Sequence, residues 1–260
     1  MAEQPPPASM TPSKPTYGNW VSSRMVLGPS VIGAVFTGMM LLSPWFAILA
    51  VSFLAIAGYF AYARYMFAVD GGDVQGRIWS ALVEAVDWDG NGMVLDIGCG
   101  SGALSIRLAR RFQSATVVGV DYWGKGWGYS KAICEYNANC EGVQNRTSFR
   151  QASASALPFP DESFDLVVSN LTFHEVKDIQ DKRQLLREAL RVLKKGGRFA
   201  FQDLFLMKRI YGNTDDLVQS LKVYGATEAA LTETCEASFI PRTLKLSFMV
   251  GTMGLISGRK

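Results

Sequence analysis

Charge is missing from one long stretch of this 260-residue chain: between Arg24 and Arg64 there is no Asp, Glu, Lys, Arg or His. As one helix, these 39 mostly apolar positions would run about 58 Å, almost twice the ~30 Å hydrocarbon core of a bilayer. Ser43-Pro44 divides the run into residues 25–42 and 45–63, each about long enough to span. The expected element is therefore a two-helix transmembrane hairpin over residues 25–68. Lys14 and Arg24 precede the apolar run, Arg64 and Arg77 follow it, and the turn carries no charge, which places both ends and the following domain on the cytoplasmic side. Gly28, Gly33 and Gly38 allow close helix approach, and Trp45, Tyr59, Tyr62 and Tyr65 suit interfaces. A buried hairpin of a soluble protein is the alternative, disfavoured because soluble core helices keep a polar face. A cleaved leader fits less well, with 24 residues ahead of the apolar run.

Other scarcities exclude whole classes. There is no basic cluster: the net charge is +3, with +2 in the first 64 residues and +1 in the rest, so the electrostatic footprint of a nucleic-acid binder is lacking. The four cysteines, Cys99, Cys134, Cys140 and Cys235, form no CxxC. They read as reduced cytosolic thiols, and no metal site is expected. There is one histidine, His174. Residues 1–24 are rich in Pro, Ser and Thr, with Pro5-Pro6-Pro7, Pro12 and Pro15, and are expected to be a disordered tail. Asp70-Gly71-Gly72-Asp73 reads as a hinge into a globular domain over residues 69–260.

What that domain contains is decided by Val94-Leu95-Asp96-Ile97-Gly98-Cys99-Gly100-Ser101-Gly102-Ala103-Leu104. An apolar strand running into DxGxGxG lets the backbone bend tightly and approach a ligand with no Cβ in the way, and the following helix aims free N–H groups at it. Nineteen residues beyond Gly102, the run Ala115 to Val120 ends at Asp121, placed to grip a ribose diol. Gly98, Gly100 and Ala103 with Asp121 also satisfy a dinucleotide fingerprint. Asp96 tips the balance, since a carboxylate there suits an ammonium and repels a pyrophosphate.

Two further blocks follow in order. One is Leu157-Pro158-Phe159-Pro160-Asp161-Glu162-Ser163-Phe164-Asp165, entering a strand; the other is the helix at Arg187 to Leu193, a Gly196-Gly197 stop and a strand at Phe199. With these the chain resembles class I S-adenosylmethionine (SAM) dependent methyltransferases, most closely the type 11 group that includes ubiquinone/menaquinone biosynthesis methyltransferases. The resemblance implies a doubly wound, mostly parallel seven-stranded Rossmann-like α/β sheet with an antiparallel last strand, and SAM as cofactor. It brings Asp96, Gly98, Cys99, Gly100 and Gly102 to the methionine and ribose side, Asp121 to the ribose hydroxyls, Tyr122 to the adenine, and Ser153, Ala154 and Asn170 to the same site. The family usually has Asp where this chain has Ser153, which accepts a hydrogen bond without charge. The loop from Tyr122 to Tyr129, with two Trp and two Tyr among glycines, reads as an aromatic lid, a membrane contact or a plain surface loop.

The element order expected is a helix over 74–86, strands at Val94, Thr116, Ser148, Leu166 and Phe199, helices from Gly102, Tyr129 and Lys182 and near Asp215, and an antiparallel final pair within residues 239–258. Methyl transfer needs in-line placement, plus a base if the acceptor carries a proton. His174, just past the fourth strand, is a candidate for that base, against a structural part in the post-strand turn; Glu175 is a weaker second. The expected function is a membrane-anchored, SAM-dependent methyltransferase acting on a small, lipid-soluble or membrane-associated, quinone-like acceptor. A nicotinamide-dependent oxidoreductase and a non-catalytic SAM-binding membrane protein are the rivals.

Overall fold

The computed structural model describes residues 14–124 and 128–260. The chain divides into two compact units, Gly18–Ile78 and the run Trp79–Lys260 joined by the stretch that ends at Tyr17.

In the first unit, α1 (Ser23–Met39) and α2 (Phe46–Phe67) pair through a short turn. Ser22 caps α1 by accepting from the Arg24 N–H. The pair packs closely where the backbone is bare: a Cβ on Gly33 would lie 2.9 Å from the Leu54 side chain, and Phe36 stacks on Phe46 and Phe53 at centroid distances of 5.9 and 5.8 Å. The outward faces remain apolar, with Leu27, Val31, Ile48, Val51 and Trp45 all more than half exposed. Among the described residues, α2 is the helix long and apolar enough to cross a membrane; α1, at 17 residues with Pro29 inside it, is shorter.

The second unit, which α3 (Val74–Glu84) enters, is a seven-stranded sheet in the order β3-β2-β1-β4-β5-β7-β6. β1 (Gly92–Ile97), β2 (Ala115–Asp121), β3 (Thr147–Gln151), β4 (Phe164–Asn170) and β5 (Leu193–Asp203) are parallel neighbours. Their near-continuous apolar runs suit strands covered on both faces, by α4 (Ala103–Arg111), α5 (Lys131–Cys140) and α6 (Arg183–Val192) among the crossovers. α6 buries Leu185, Leu186, Ala189, Leu190 and Val192 against the sheet. From its other side Arg191 holds the Pro-rich turn before β4, donating to the carbonyls of Phe159 (3.0 Å) and Leu157 (3.1 Å) and pairing with Asp161 and Glu188. α7 (Lys208–Tyr211) and α8 (Thr214–Val223) follow β5.

The register decides what shares an edge. Ile97 lies opposite Val120 and Ser169, Asp121 opposite Gln151, and Asn170 opposite Gln202. The carboxyl ends of five strands thus form one row, the place where doubly wound sheets bind ligands.

Two expectations differ from what is observed. The closing strands are β6 (Glu228–Thr232) and β7 (Gly254–Arg259), with β7 antiparallel to both neighbours, rather than a pair within 239–258. β6 is an alternating, half-exposed edge strand of Glu, Ala, Leu and Thr, so it carries little hydrophobic signal. The apolar residues of 239–253 instead plug the core at irregular spacing: Ile240, Leu244, Val250 and Met253 are buried around a 3₁₀ turn at Arg242–Leu244. Of the tail expected over residues 1–24, residues 1–13 lie outside the described residues. From Lys14 onward the chain is held, and Tyr17 and Val21 are buried.

Candidate active site

The turn between β1 and α4 has every glycine in a left-handed conformation: Gly98 at φ 75°, Gly100 at 56° and Gly102 at 82°. At Gly98 the requirement is doubled, because a Cβ would sit 2.0 Å from Thr172 Oγ1. The turn is fixed from several elements at once. The Gly98 and Cys99 N–H groups donate to the Val120 carbonyl at 2.7 and 3.0 Å. The Gly100 N–H donates to Asp121 Oδ2 at 2.9 Å, and the Gly100 carbonyl accepts from Trp123 Nε1 at 2.9 Å and from the Cys134 thiol at 3.2 Å.

Asp121 ends β2, and its other oxygen accepts from the Trp123 N–H at 2.7 Å. Each oxygen keeps a lone pair for a hydroxyl donor. Asp96 is deeper, 1 % exposed. Its Oδ2 accepts from Ser105 Oγ at 2.6 Å, whereas its Oδ1 is buried with no partner. Burial pushes its pKa up to about 7 against the opposing hydrogen bonds from Ser105. An orphaned carboxylate oxygen beside this glycine turn is an acceptor of the kind an ammonium group satisfies.

The remaining expected residues are placed as follows. Cys99 is buried, and burial and the neighbouring Cys134 push its thiol pKa well up. Ser153 lies past β3, its Oγ 2.7 Å from Ser155 Oγ and 3.2 Å from Asp178 Oδ2. The acid absent at position 153 therefore has a neighbour of that charge in Asp178, and Ala154 beside it is buried. The Asn170 side chain accepts from Gln202 Nε2 at 2.9 Å. Tyr122 is 68 % exposed; Trp123, at φ 45°, is the aromatic that binds the turn. Of the loop from Tyr122 to Tyr129, residues 125–127 lie outside the described residues, and the Tyr129 ring flanks Gly100.

On the β4–β5 side, His174 occupies a 3₁₀ turn at Phe173–Glu175. Its Nδ1 is 2.7 Å from Asp203 Oδ1 at the end of β5, and its Nε2 is 3.5 Å from Glu175 Oε1. Asp203, fully buried, also accepts from the Phe173 N–H at 2.8 Å and the Leu204 N–H at 2.7 Å. Burial works to lower the His174 pKa, but Asp203 and then Glu175 override it, raising it to about 10. Both carboxylates thus favour the protonated form of the ring, with Nδ1 and Nε2 each facing a carboxylate oxygen. The hydrogen bond to His174 holds the Glu175 pKa below the ordinary value. Asp203, Thr172, Trp123 and Ser105 were not among the expected site residues; each acts by holding another residue of the site.

Comparison with known proteins agrees with this geometry. Residues 95–201 match the family model described as a methyltransferase domain. A ubiquinone/menaquinone biosynthesis C-methyltransferase of Geobacter sulfurreducens is 34% identical over 135 residues, 50% of this chain and 50% of that protein. A fatty-acid O-methyltransferase of Mycolicibacterium smegmatis is 36% identical over 127 residues, 49% of this chain and 42% of that one. The chain spans about half or less of the length of these curated relatives. A structure of Haemonchus contortus phosphoethanolamine N-methyltransferase 2 in complex with SAM shares the fold, with a TM-score of 0.52 at 17% identity, over 71% of this chain and 52% of that one. Residues 95–201 thus match a methyltransferase domain, and the surrounding sheet has the fold of the solved neighbour.

Proposed function

We propose that this chain is a membrane-anchored methyltransferase that uses SAM to methylate a small, lipid-soluble acceptor. The observation that carries the reading is the mount around the glycine turn: three left-handed glycines, Asp121 bound to the Gly100 N–H and Asp96 with one buried oxygen unpartnered. Asp121 would accept from the ribose hydroxyls, Asp96 Oδ1 from the ammonium group, and Ser153 with Asp178 would border the adenine. SAM, when bound, supplies an electrophilic methyl group on a sulfonium. The same Asp96 weighs against a nicotinamide dinucleotide, whose pyrophosphate a buried carboxylate would repel.

On the acceptor side, Asp203 orients the His174 ring and fixes the turn that carries it. We assign His174 to positioning: held between Asp203 and Glu175, it fixes the turn that borders an acceptor which reaches the site already nucleophilic. In this family of reactions the protein's task is in-line placement, which a rigid turn serves.

The membrane anchor rests on α1 and α2. Their outward Leu, Ile, Val and Trp side chains are exposed on all sides, which an aqueous surface disfavours at about 25 cal/mol per Å² and a bilayer does not. At about 26 Å for 17 residues and 33 Å for 22, the two helices are close to the ~30 Å hydrocarbon thickness. In this reading residues 25–68 are a two-pass anchor and residues 69–260 a cytoplasmic catalytic domain. Relatives named for quinone biosynthesis and for fatty acids support a lipid-soluble acceptor. The test is incubation of the detergent-purified chain with radiolabelled SAM and fractionated membrane lipids. Label in a lipid fraction is the expected result; SAM binding without turnover on any fraction would leave a non-catalytic SAM-binding protein.

A further inference from the structure

The glycine turn is fastened at one more point, which no motif marks. Ser101, between Gly100 and Gly102, is 4 % exposed, and its Oγ donates to the Tyr17 carbonyl at 3.0 Å. Its own carbonyl accepts from Asn137 Nδ2 at 2.9 Å. Asn137, on α5 and wholly buried, is a clamp: the same Nδ2 donates to the Thr16 carbonyl at 2.8 Å, while its Oδ1 accepts from the Thr16 N–H at 2.7 Å. Three of its hydrogen-bonding positions are thus spent on joining residue 16 to residue 101. The segment is locked further along by Tyr17, whose hydroxyl donates to Glu141 Oε1 at 3.2 Å and whose ring is buried beside Trp79, with the Arg107 guanidinium over both rings at 5.7 and 5.0 Å. Arg107 lies on α4, the helix that the glycine turn opens.

We propose that residues 14–17 and Asn137 are positioning elements for SAM. They hold Ser101, and with it the left-handed Gly100 and Gly102, in the binding conformation before the cofactor arrives. The physical reason is preorganisation. A turn of glycines has many accessible conformations, and a ligand that must order it loses affinity by the free energy of that ordering. The inner half of the turn is tied to β2 and Asp121; the outer half is tied to the segment before the hairpin, through Asn137. The inference rests on the glycine turn being the SAM site and adds to it a dependence on a stretch that reads as featureless in sequence.

The test uses the full chain in detergent, with SAM affinity by calorimetry and hydrogen exchange of the 98–103 amides. Thr16→Pro removes the N–H that reaches Asn137 and touches no residue of the turn; Asn137→Ala removes the clamp. Each is expected to raise the SAM Kd about tenfold, the scale of one or two buried hydrogen bonds, and to speed exchange at residues 98–103. Because both act through the same contact, the double variant should be no weaker than Asn137→Ala alone. If Asn137→Ala fails to fold, Thr16→Pro still decides the matter. Wild-type affinity and exchange in Thr16→Pro overturn the proposal. Asp121→Ala is the control: if it weakens SAM while Thr16→Pro does not, the positioning role alone is wrong; if neither does, the site assignment falls and this inference with it.

Discussion

If Asp96 receives the ammonium group of SAM, as proposed, SAM affinity depends on pH, and the size of the effect follows from the surroundings of this carboxyl. With its pKa near 7 in the free protein, the carboxyl is about half protonated at neutrality. A protonated carboxyl offers an ammonium group no charge. Binding a cation against Oδ1 therefore requires the proton to leave, and the bound-state pKa falls toward or below the ordinary carboxylate value of about 3.9. By linkage, the apparent Kd should be about twofold above its high-pH limit at pH 7, about tenfold at pH 6 and about 100-fold at pH 5, the last equal to roughly 2.7 kcal/mol. The sign is fixed: an acid raised in the free state and lowered in the complex gives tighter binding as pH rises through the free-state value. Between pH 5 and 7 an α-amino group, with an ordinary pKa of about 7.7–8.0, stays mostly charged, and the raised pKa of His174 keeps that ring from titrating. Calorimetry in two buffers of different ionisation enthalpy should register release of about half a proton per SAM at pH 7 and nearly one at pH 6. Asp96→Asn should bind more weakly at pH 8 and lose the slope. A wild-type Kd that is constant from pH 5.5 to 7.5, or an Asn variant with the wild-type slope, refutes the reasoning.

Other outcomes follow from the same site. Asp121→Ala removes the acceptor at the end of β2 and should weaken SAM binding by about 1.5–3 kcal/mol, the range for hydrogen bonds to charged groups; equal affinity by calorimetry would count against the site. Gly98→Ala forces a Cβ to 2.0 Å from Thr172 Oγ1 at φ 75° and should destabilise the fold by about 1–3 kcal/mol, part of it recovered in Gly98→Ala/Thr172→Ala; an unshifted denaturation midpoint contradicts this. His174 has a folded-state pKa above its unfolded value, so its stabilising contribution is complete below about 6.5 and is lost as pH rises toward about 10. The unfolding midpoint should fall over that interval in wild type and not in Asp203→Asn. If His174 positions rather than abstracts a proton, methyl transfer should be flat between pH 7 and 9 yet fall about 10-fold or more in His174→Ala; a rate that climbs tenfold per pH unit assigns it to base catalysis. The full-length protein should stay with membranes through carbonate washing, and its release would remove the anchor.

What the sequence discloses is set by whether a residue's role depends on its chain neighbours. The first five strands and the glycine turn were legible because an apolar run, a left-handed turn and a helix start are local events, and Asp96 and Asp121 are named by their distance from that turn. β6 was not, since a half-exposed edge strand such as Glu228–Thr232 has no apolar run to announce it. The charge on His174 was hidden for a different reason: its partner Asp203 lies 29 residues away and meets it only because β4 and β5 pair in register, Asn170 opposite Gln202. Asn137 and Thr16 are 121 residues apart, and a Pro-rich stretch with little apolar content reads as unfolded when nothing shows what receives it.

The same distinction bears on how the site holds its shape. A parallel sheet brings Asp121, Gln151, Asn170 and Asp203 to one edge from four separate strands, and polar side chains there are held by neighbours on other strands rather than by their own. Asp121 braces Gly100, Gln202 braces Asn170, and Asp203 braces His174. Deleting one member therefore leaves a buried polar partner unsatisfied, at about 1–3 kcal/mol, more than the net worth of the bond itself. For that reason variants that keep shape and change charge, Asp203→Asn and Asp96→Asn, separate the chemistry of this edge from its architecture more cleanly than alanine can.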